Sequence, residues 1–129
     1  MSEWVSDASA VLVYLNQEPG WQAVEATLLA GESIISTVNY AEVVAKLAEK
    51  GVSEDDIRLV LGCLKLRIID FTPALALASG LLRPATKTFG LSLGDRVCLA
   101  LAQDLDCPVL TTDRAWESLT LGIKVVLIR

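Results

Sequence analysis

Short apolar runs alternate with longer stretches of helical periodicity along the whole chain, and that alternation admits few folds. Strands separated by helices pair in parallel through right-handed crossovers, which yields an α/β sheet with helices packed against it. Trp4 to Ser6 reads as a short first strand ending at Asp7, and Ala8 to Asn16 as the helix after it. Pro19-Gly20 breaks that helix, and Trp21 to Ala30 forms a second. Ser33 to Ser36 is the next strand, and Val38 to Lys50 a helix closed by Gly51. Ser53-Glu54-Asp55-Asp56 opens another helix in the manner of a capping box. Arg67 to Phe71 is the third strand, Ala74 to Leu82 a helix, and Arg83 to Leu91 a loop. Ser92 to Asp106 is then helical, Val109 to Thr111 a strand, Asp113 to Leu119 a short helix and Lys124 to Ile128 the last strand. No repeat or linker interrupts this order, and 129 residues make one domain, 1–129.

Hydrophobic residues form 53% of the chain, above the usual ~45 to 50% of globular proteins, which leaves apolar surface for a partner. Apolar stretches such as Pro73 to Leu82 fall short of the ~20 residues a membrane span needs. The start, Met1-Ser2-Glu3-Trp4, lacks the layout of a signal peptide, so a cytoplasmic protein without membrane contact is expected. Cys63, Cys98 and Cys107 show no metal or redox spacing and read as buried, reduced thiols. Histidine is absent. Histidine-based nucleophile systems and imidazole zinc sites are thereby excluded, and hydrolytic chemistry must rest on carboxylates, lysine or hydroxyls, with or without a hard metal.

The acids stand out by position. Asp7, Glu42 and Asp113 fall at or just beyond the carboxyl ends of strands, where open α/β sheets place their sites, and Asp95 lies in the first turn of a helix. Each also has a structural explanation. Asp7 and Asp113 are good N-caps, and Asp95 pairs with Ser92 as a capping box. Below Asp95, however, Cys98, Leu99 and Ala102 continue an apolar stripe, where an unpartnered charge is costly. Helical spacing places Glu42 on a polar arc with Asn39, Lys46 and Glu49, as a solvated residue paired with Lys46. Taken together, carboxylates converging on one sheet edge repel unless a cation sits among them. Mg²⁺ or Mn²⁺, which take oxygen ligands, suits such a set and suits phosphodiester cleavage.

Four segments in order, Val5-Ser6-Asp7-Ala8-Ser9-Ala10, Asn39-Tyr40-Ala41-Glu42-Val43, Leu91-Ser92-Leu93-Gly94-Asp95-Arg96 and Leu110-Thr111-Thr112-Asp113-Arg114-Ala115-Trp116, resemble PIN-domain signatures almost from end to end of the chain. The last two segments resemble VapC-type toxins especially closely. The resemblance implies a three-layer α/β/α sandwich with a central, mainly parallel sheet of about five short strands. It implies a Mg²⁺- or Mn²⁺-dependent endoribonuclease, the toxin of a type II toxin-antitoxin pair. It assigns catalysis and metal binding to Asp7, Glu42, Asp95 and Asp113, against the polar-arc reading of Glu42, and makes Ser9 and Thr111 supporting hydroxyls.

Asp plus Glu number 16 against 11 Lys plus Arg, a net charge of −5 that is unusual for a nucleic-acid binder. Arg83, Lys87, Arg96 and Arg114 lie near the acidic motifs and offer phosphate contacts, although surface solvation explains each singly. Trp116 reads as packing against the sheet more than as a stacking platform for bases. The acidic surplus fits the antitoxin that the resemblance implies, one whose basic tail enters the carboxylate cluster, and related toxins pair as homodimers. Trp21, Leu28 and Leu29, and Ile57, Val60, Leu61 and Leu64, serve either such interfaces or the core. The alternative is a catalytically silent PIN-like module that only binds a partner. A phosphoacceptor receiver domain ranks lower, because Asp7 has no acidic neighbour and Asp55-Asp56 follow no apolar strand.

Overall fold

The computed structural model describes residues 3–129 and contains one five-stranded, fully parallel sheet in the order β3-β2-β1-β4-β5. Met1 and Ser2, where the reading of the N-terminus begins, lie outside the described residues. In chain order the elements are β1 (Trp4–Ser6), α1 (Ala8–Leu15), α2 (Trp21–Leu29), β2 (Ser33–Ser36), α3 (Thr37–Glu49) and α4 (Glu54–Gly62), then β3 (Leu66–Ile69), α5 (Pro73–Leu81), α6 (Arg83–Thr86), α7 (Leu93–Leu105), β4 (Val109–Thr111) and β5 (Val125–Leu127). No helix among the described residues is long and apolar enough to cross a membrane.

The strands bury side chains on both faces, because alternate residues of one strand point to opposite sides. Val5, Ile34 and Val109 pack against α5 and α7, in a cluster with Leu75, Val97's neighbours Cys98 and Leu99, and Trp116. Ile35 packs with Val11, Val43, Leu47, Ile57 and Leu61 of α1, α3 and α4, and Leu110 with Ala10, Val24 and Leu28 of α1 and α2. Helices thus cover both faces, and the result is the three-layer α/β/α sandwich that the resemblance implies.

The strand order also fixes where a site can form. From β1 the chain winds outward to β2 and β3, then returns to place β4 and β5 on the other side of β1. The crossover helices therefore diverge between β1 and β4, which opens a crevice at the carboxyl ends of those two strands. Ser6 and Asp7 leave β1 there, and Thr111 ends β4 beside them.

Three details differ from the sequence reading. Arg83–Leu91 is mostly helical rather than a loop: α6 is followed by a 3-10 turn at Lys87–Phe89 and stops at Gly90, whose φ is +68°. Pro84 breaks nothing there, because a first-turn proline lacks only an N–H that the helix leaves unbonded, and Thr86 Oγ1 donates to the Leu82 carbonyl at 2.8 Å. The segment after Asp113 is a 3-10 turn, Arg114–Ser118. Cys63, read as buried, is exposed at the C-cap of α4, whereas Cys98 is buried and Cys107 half-buried; all are free thiols.

Candidate metal centre

Asp7 is the deepest of the four acids, at 5% exposure. Its backbone closes β1 and its side chain caps α1, so the strand-to-helix junction fixes the carboxylate in place. Oδ1 accepts hydrogen bonds from Ser9 Oγ at 2.6 Å and from the Ala10 amide at 2.9 Å, and Oδ2 accepts from Thr111 Oγ1 at 2.6 Å. A carboxylate has about four acceptor sites, so Asp7 retains one, on Oδ2. Thr111 Oγ1 in turn accepts from the Asp113 amide at 3.1 Å, and Ser9 Oγ accepts from the Thr112 amide at 3.2 Å. The two hydroxyls thereby lock the end of β4 to the end of β1.

Burial pushes the Asp7 carboxyl up from 3.8 to about 6, against the lowering influence of its hydrogen bonds, and the negative charge of Asp95 adds to the rise. The Cys98 thiol is raised well above its ordinary range, by burial first and then by the charges of Asp7, Asp95 and Glu42. Asp7, Asp95 and Glu42 are thus all near enough for their charge to be felt at Cys98.

Asp95 forms the capping box its spacing suggests. Oδ2 accepts from the Ser92 amide at 2.9 Å, while Ser92 Oγ accepts from the Asp95 amide at 3.2 Å. Oδ1 has no partner among the described residues. Asp113 is exposed and caps the Arg114–Ser118 turn, its Oδ1 accepting from the Ala115 amide at 3.0 Å. Glu42 is exposed and forms no ion pair with Lys46. Its Oε1 accepts from Asn39 Nδ2 at 2.8 Å, and the carboxylate lies against Gly94 in the first turn of α7. Polar-arc spacing identified the neighbour, Asn39, but not the direction in which both residues turn.

Capping therefore does not use up these carboxylates. Asp7, Asp95 and Asp113 each use one oxygen to terminate a helix or turn, and each keeps an oxygen, or part of one, for something else. The molecule's ion pairs among the described residues are Arg58 with Glu54, Arg67 with Glu3, and Arg129 with Glu18; none involves the four acids. An all-oxygen donor set with no cationic partner fits a hard divalent ion. Among the described residues no three Asp, Glu or Cys side chains are close enough to hold one ion as they stand. Mg²⁺ is commonly held by one or two carboxylates, with water and substrate phosphate completing its shell.

Among the basic residues, Arg83, Lys87 and Arg114 are exposed, and Arg96 is half-buried with Nη1 donating to the Ser79 carbonyl of α5 at 3.4 Å. Trp116 is wholly buried in the core, as packing requires. Sequence reasoning gave no role to Asn39 or Gly94, although both lie in the segments that carry the resemblance.

No curated protein matches the chain. Among solved structures, a toxin-antitoxin complex from Klebsiella pneumoniae superposes with a TM-score of 0.75 at 22% identity, covering 98% of this chain and 98% of that one. DNA-bound VapBC from Salmonella typhimurium gives 0.77 at 17%, covering 100% of both chains. VapBC2 from Rickettsia felis bound to a promoter DNA fragment gives 0.74 at 19%, covering 96% of this chain and 97% of that one. At these identities the likeness speaks for the fold. The PIN domain family model matches residues 5–120, a span that begins in β1 and includes all four acids, and the chain therefore belongs to the PIN domain family.

Proposed function

We propose that the chain, acting as a single cytoplasmic domain over residues 1–129, is a Mg²⁺- or Mn²⁺-dependent endoribonuclease and the toxin of a VapC-type toxin-antitoxin pair. The observation that carries this reading is the Asp7 carboxylate: sunk at the β1/β4 switch point, oriented by Ser9 and Thr111, and flanked by acids rather than by a base. Asp7, Glu42, Asp95 and Asp113 would hold the ion. A bound divalent ion supplies a polarised scissile phosphate and an activated water at neutral pH. Ser9 and Thr111 keep the Asp7 oxygens in one orientation, so little reorganisation is left for the moment of reaction. Arg83, Lys87 and Arg114, being exposed, are free to meet RNA phosphates; Arg96, turned toward α5, serves the rim less directly.

The partner follows from charge and exposure. A net charge of −5 with an acidic site favours an antitoxin segment whose arginine or lysine enters among the carboxylates. The structural neighbours named as toxin-antitoxin and VapBC complexes support that assignment. Leu77 and Leu81 lie one turn apart on α5 and are 66% and 69% exposed, an apolar stripe suited to a homodimer contact.

The test is incubation of the purified chain with RNA in Mg²⁺, in Mn²⁺ and in EDTA. Internal cleavage in either metal and none in EDTA is expected. Equal cleavage in EDTA overturns the metal reading; no cleavage of any RNA under any condition favours a silent binding module.

A further inference from the structure

Glu42 stands at the contact between α3 and α7. It is exposed, yet its carboxylate is met from both helices, by Asn39 three residues back on α3 and by Gly94 on α7. Asn39, 1% exposed, is one of the few fully buried polar side chains. Its Oδ1 accepts from Ser36 Oγ at 2.9 Å, and Nδ2 donates both to Glu42 Oε1 at 2.8 Å and to the Gly94 carbonyl at 3.0 Å. Both partners of Nδ2 are pure acceptors, so the amide can take only this orientation. Asn39 is thus anchored at the end of β2 and ties the Glu42 carboxylate to the first turn of α7, beside Asp95.

Gly94 completes the arrangement from the other side. A Cβ built there would lie 2.5 Å from Glu42 Oε2, 2.7 Å from Oε1 and 2.8 Å from Cδ. Any side chain at position 94 must displace the carboxylate. The backbone does not demand glycine, because position 94 is ordinary right-handed helix without positive φ.

Resting on the metal reading above, we infer that Asn39 and Gly94 form a seat for the Glu42 carboxylate, and that both are positioning residues for the ion. Glu42 ligates; Asn39 orients it by a donated hydrogen bond; Gly94 leaves the space that it fills. A buried asparagine and a helical glycine with no local need for either are then accounted for by one function.

Mn²⁺ affinity of the metal-free protein, read by calorimetry or by the resonance of free Mn²⁺, tests this together with the melting temperature in EDTA. Gly94→Ala should weaken Mn²⁺ binding about tenfold, the lower end of what displaced supporting contacts cost. Its metal-free melting temperature should hold or rise, because alanine is the better helix former. A merely structural glycine predicts unchanged affinity. Asn39→Ala should weaken binding comparably and, leaving buried acceptors unpaired, lower the melting temperature. The decisive arm is the double variant: in a Glu42→Ala background neither substitution should reduce affinity further, since both act through that carboxylate. Additive losses, or wild-type affinity in Gly94→Ala while Glu42→Ala is weakened, overturn the seat and leave the metal reading standing. Wild-type affinity in Glu42→Ala, with binding lost in Asp7→Asn, does the same. A wild-type protein that binds no Mn²⁺ overturns both. Should either single variant fail to melt cooperatively, the other carries the test from the opposite side of the carboxylate.

Discussion

The two halves of the candidate site are built by different means. Asp7 comes from the sheet: it is buried, takes three hydrogen bonds, and shares hydroxyl partners with the neighbouring strand. Glu42 and Asp95 come from α3 and α7, are more exposed, and are held by side chains and a first-turn capping box. Asp113, at the cap of a 3-10 turn, is exposed as Glu42 is. The sheet half is preorganised by the fold itself, whereas the helix half is adjustable and depends on a few specific contacts. An ion that must bind, meet a phosphate and be released calls for one fixed ligand and others able to close on it.

The sharpest way to break that comparison is Asp7→Asn. Loss of cleavage by more than 100-fold is expected, beyond the 10 to 100-fold typical of supporting residues. The metal-free fold should at the same time gain stability. A carboxyl raised from 3.8 to about 6 is protonated at no cost to folding below pH ~4, and its burial penalty grows as the pH rises to about 6, reaching at most about 3 kcal/mol. Metal-free wild type should therefore lose stability relative to Asp7→Asn between about pH 4 and 6, by chemical denaturation in EDTA. A pH-independent difference contradicts the burial of an ionisable Asp7. In the presence of Mn²⁺ the sign reverses, because the ion binds the ionised form and its affinity should climb through the same interval.

Thr111→Val is expected to come next. It removes the donor to Asp7 Oδ2 and leaves the Asp113 amide without its acceptor in one change of nearly constant volume. Cleavage should fall 10 to 100-fold and stability by about 1 to 3 kcal/mol, measured by single-turnover cleavage and urea unfolding. The matched change in the helix half, Ser92→Ala, breaks the capping box and should cost about 1 kcal/mol with a smaller loss of activity. Equal activity losses would erase the distinction between a fixed and an adjustable half. Smallest of all, Arg83→Ala and Lys87→Ala should each weaken RNA binding modestly and flatten its salt dependence by about one counterion; an unchanged salt slope would remove that residue from the rim.

The sheet half was legible in the sequence because its signals are local. An apolar run ending in Asp7-Ala8-Ser9, and another ending in Thr111-Thr112-Asp113, each combine strand, cap and hydroxyl within a few residues, and the strand-helix alternation brings such ends to one edge. The helix half was only partly legible. Ser92 and Asp95 announced their capping box, but for Glu42 spacing alone pointed to a pair with Lys46, because the contact between α3 and α7 that it meets joins residues far apart in the chain. The 83–91 segment was read as a loop because proline, glycine and threonine are turn formers on average, and only the Thr86 hydroxyl bond and the first-turn position of Pro84 reverse that average. Cys63 was read as buried from the apolar pattern around it, yet it sits at the exposed end of α4.

The central claim is that these carboxylates serve an ion as well as the helices they cap, and Asp95 is where the two roles separate most cleanly. Asparagine at 95 can still accept from the Ser92 amide, so capping alone predicts a change of tenths of a kcal/mol and wild-type activity. Removing one of few negative charges around the ion predicts collapse of cleavage, with a metal-free melting temperature that holds or rises as repulsion from Asp7 is relieved. RNA cleavage in Mg²⁺ and melting in EDTA, measured on wild type and Asp95→Asn side by side, decide between them. The account predicts an inactive variant at least as stable as wild type without metal; a variant that cuts RNA at the wild-type rate would contradict it and leave Asp95 a helix cap.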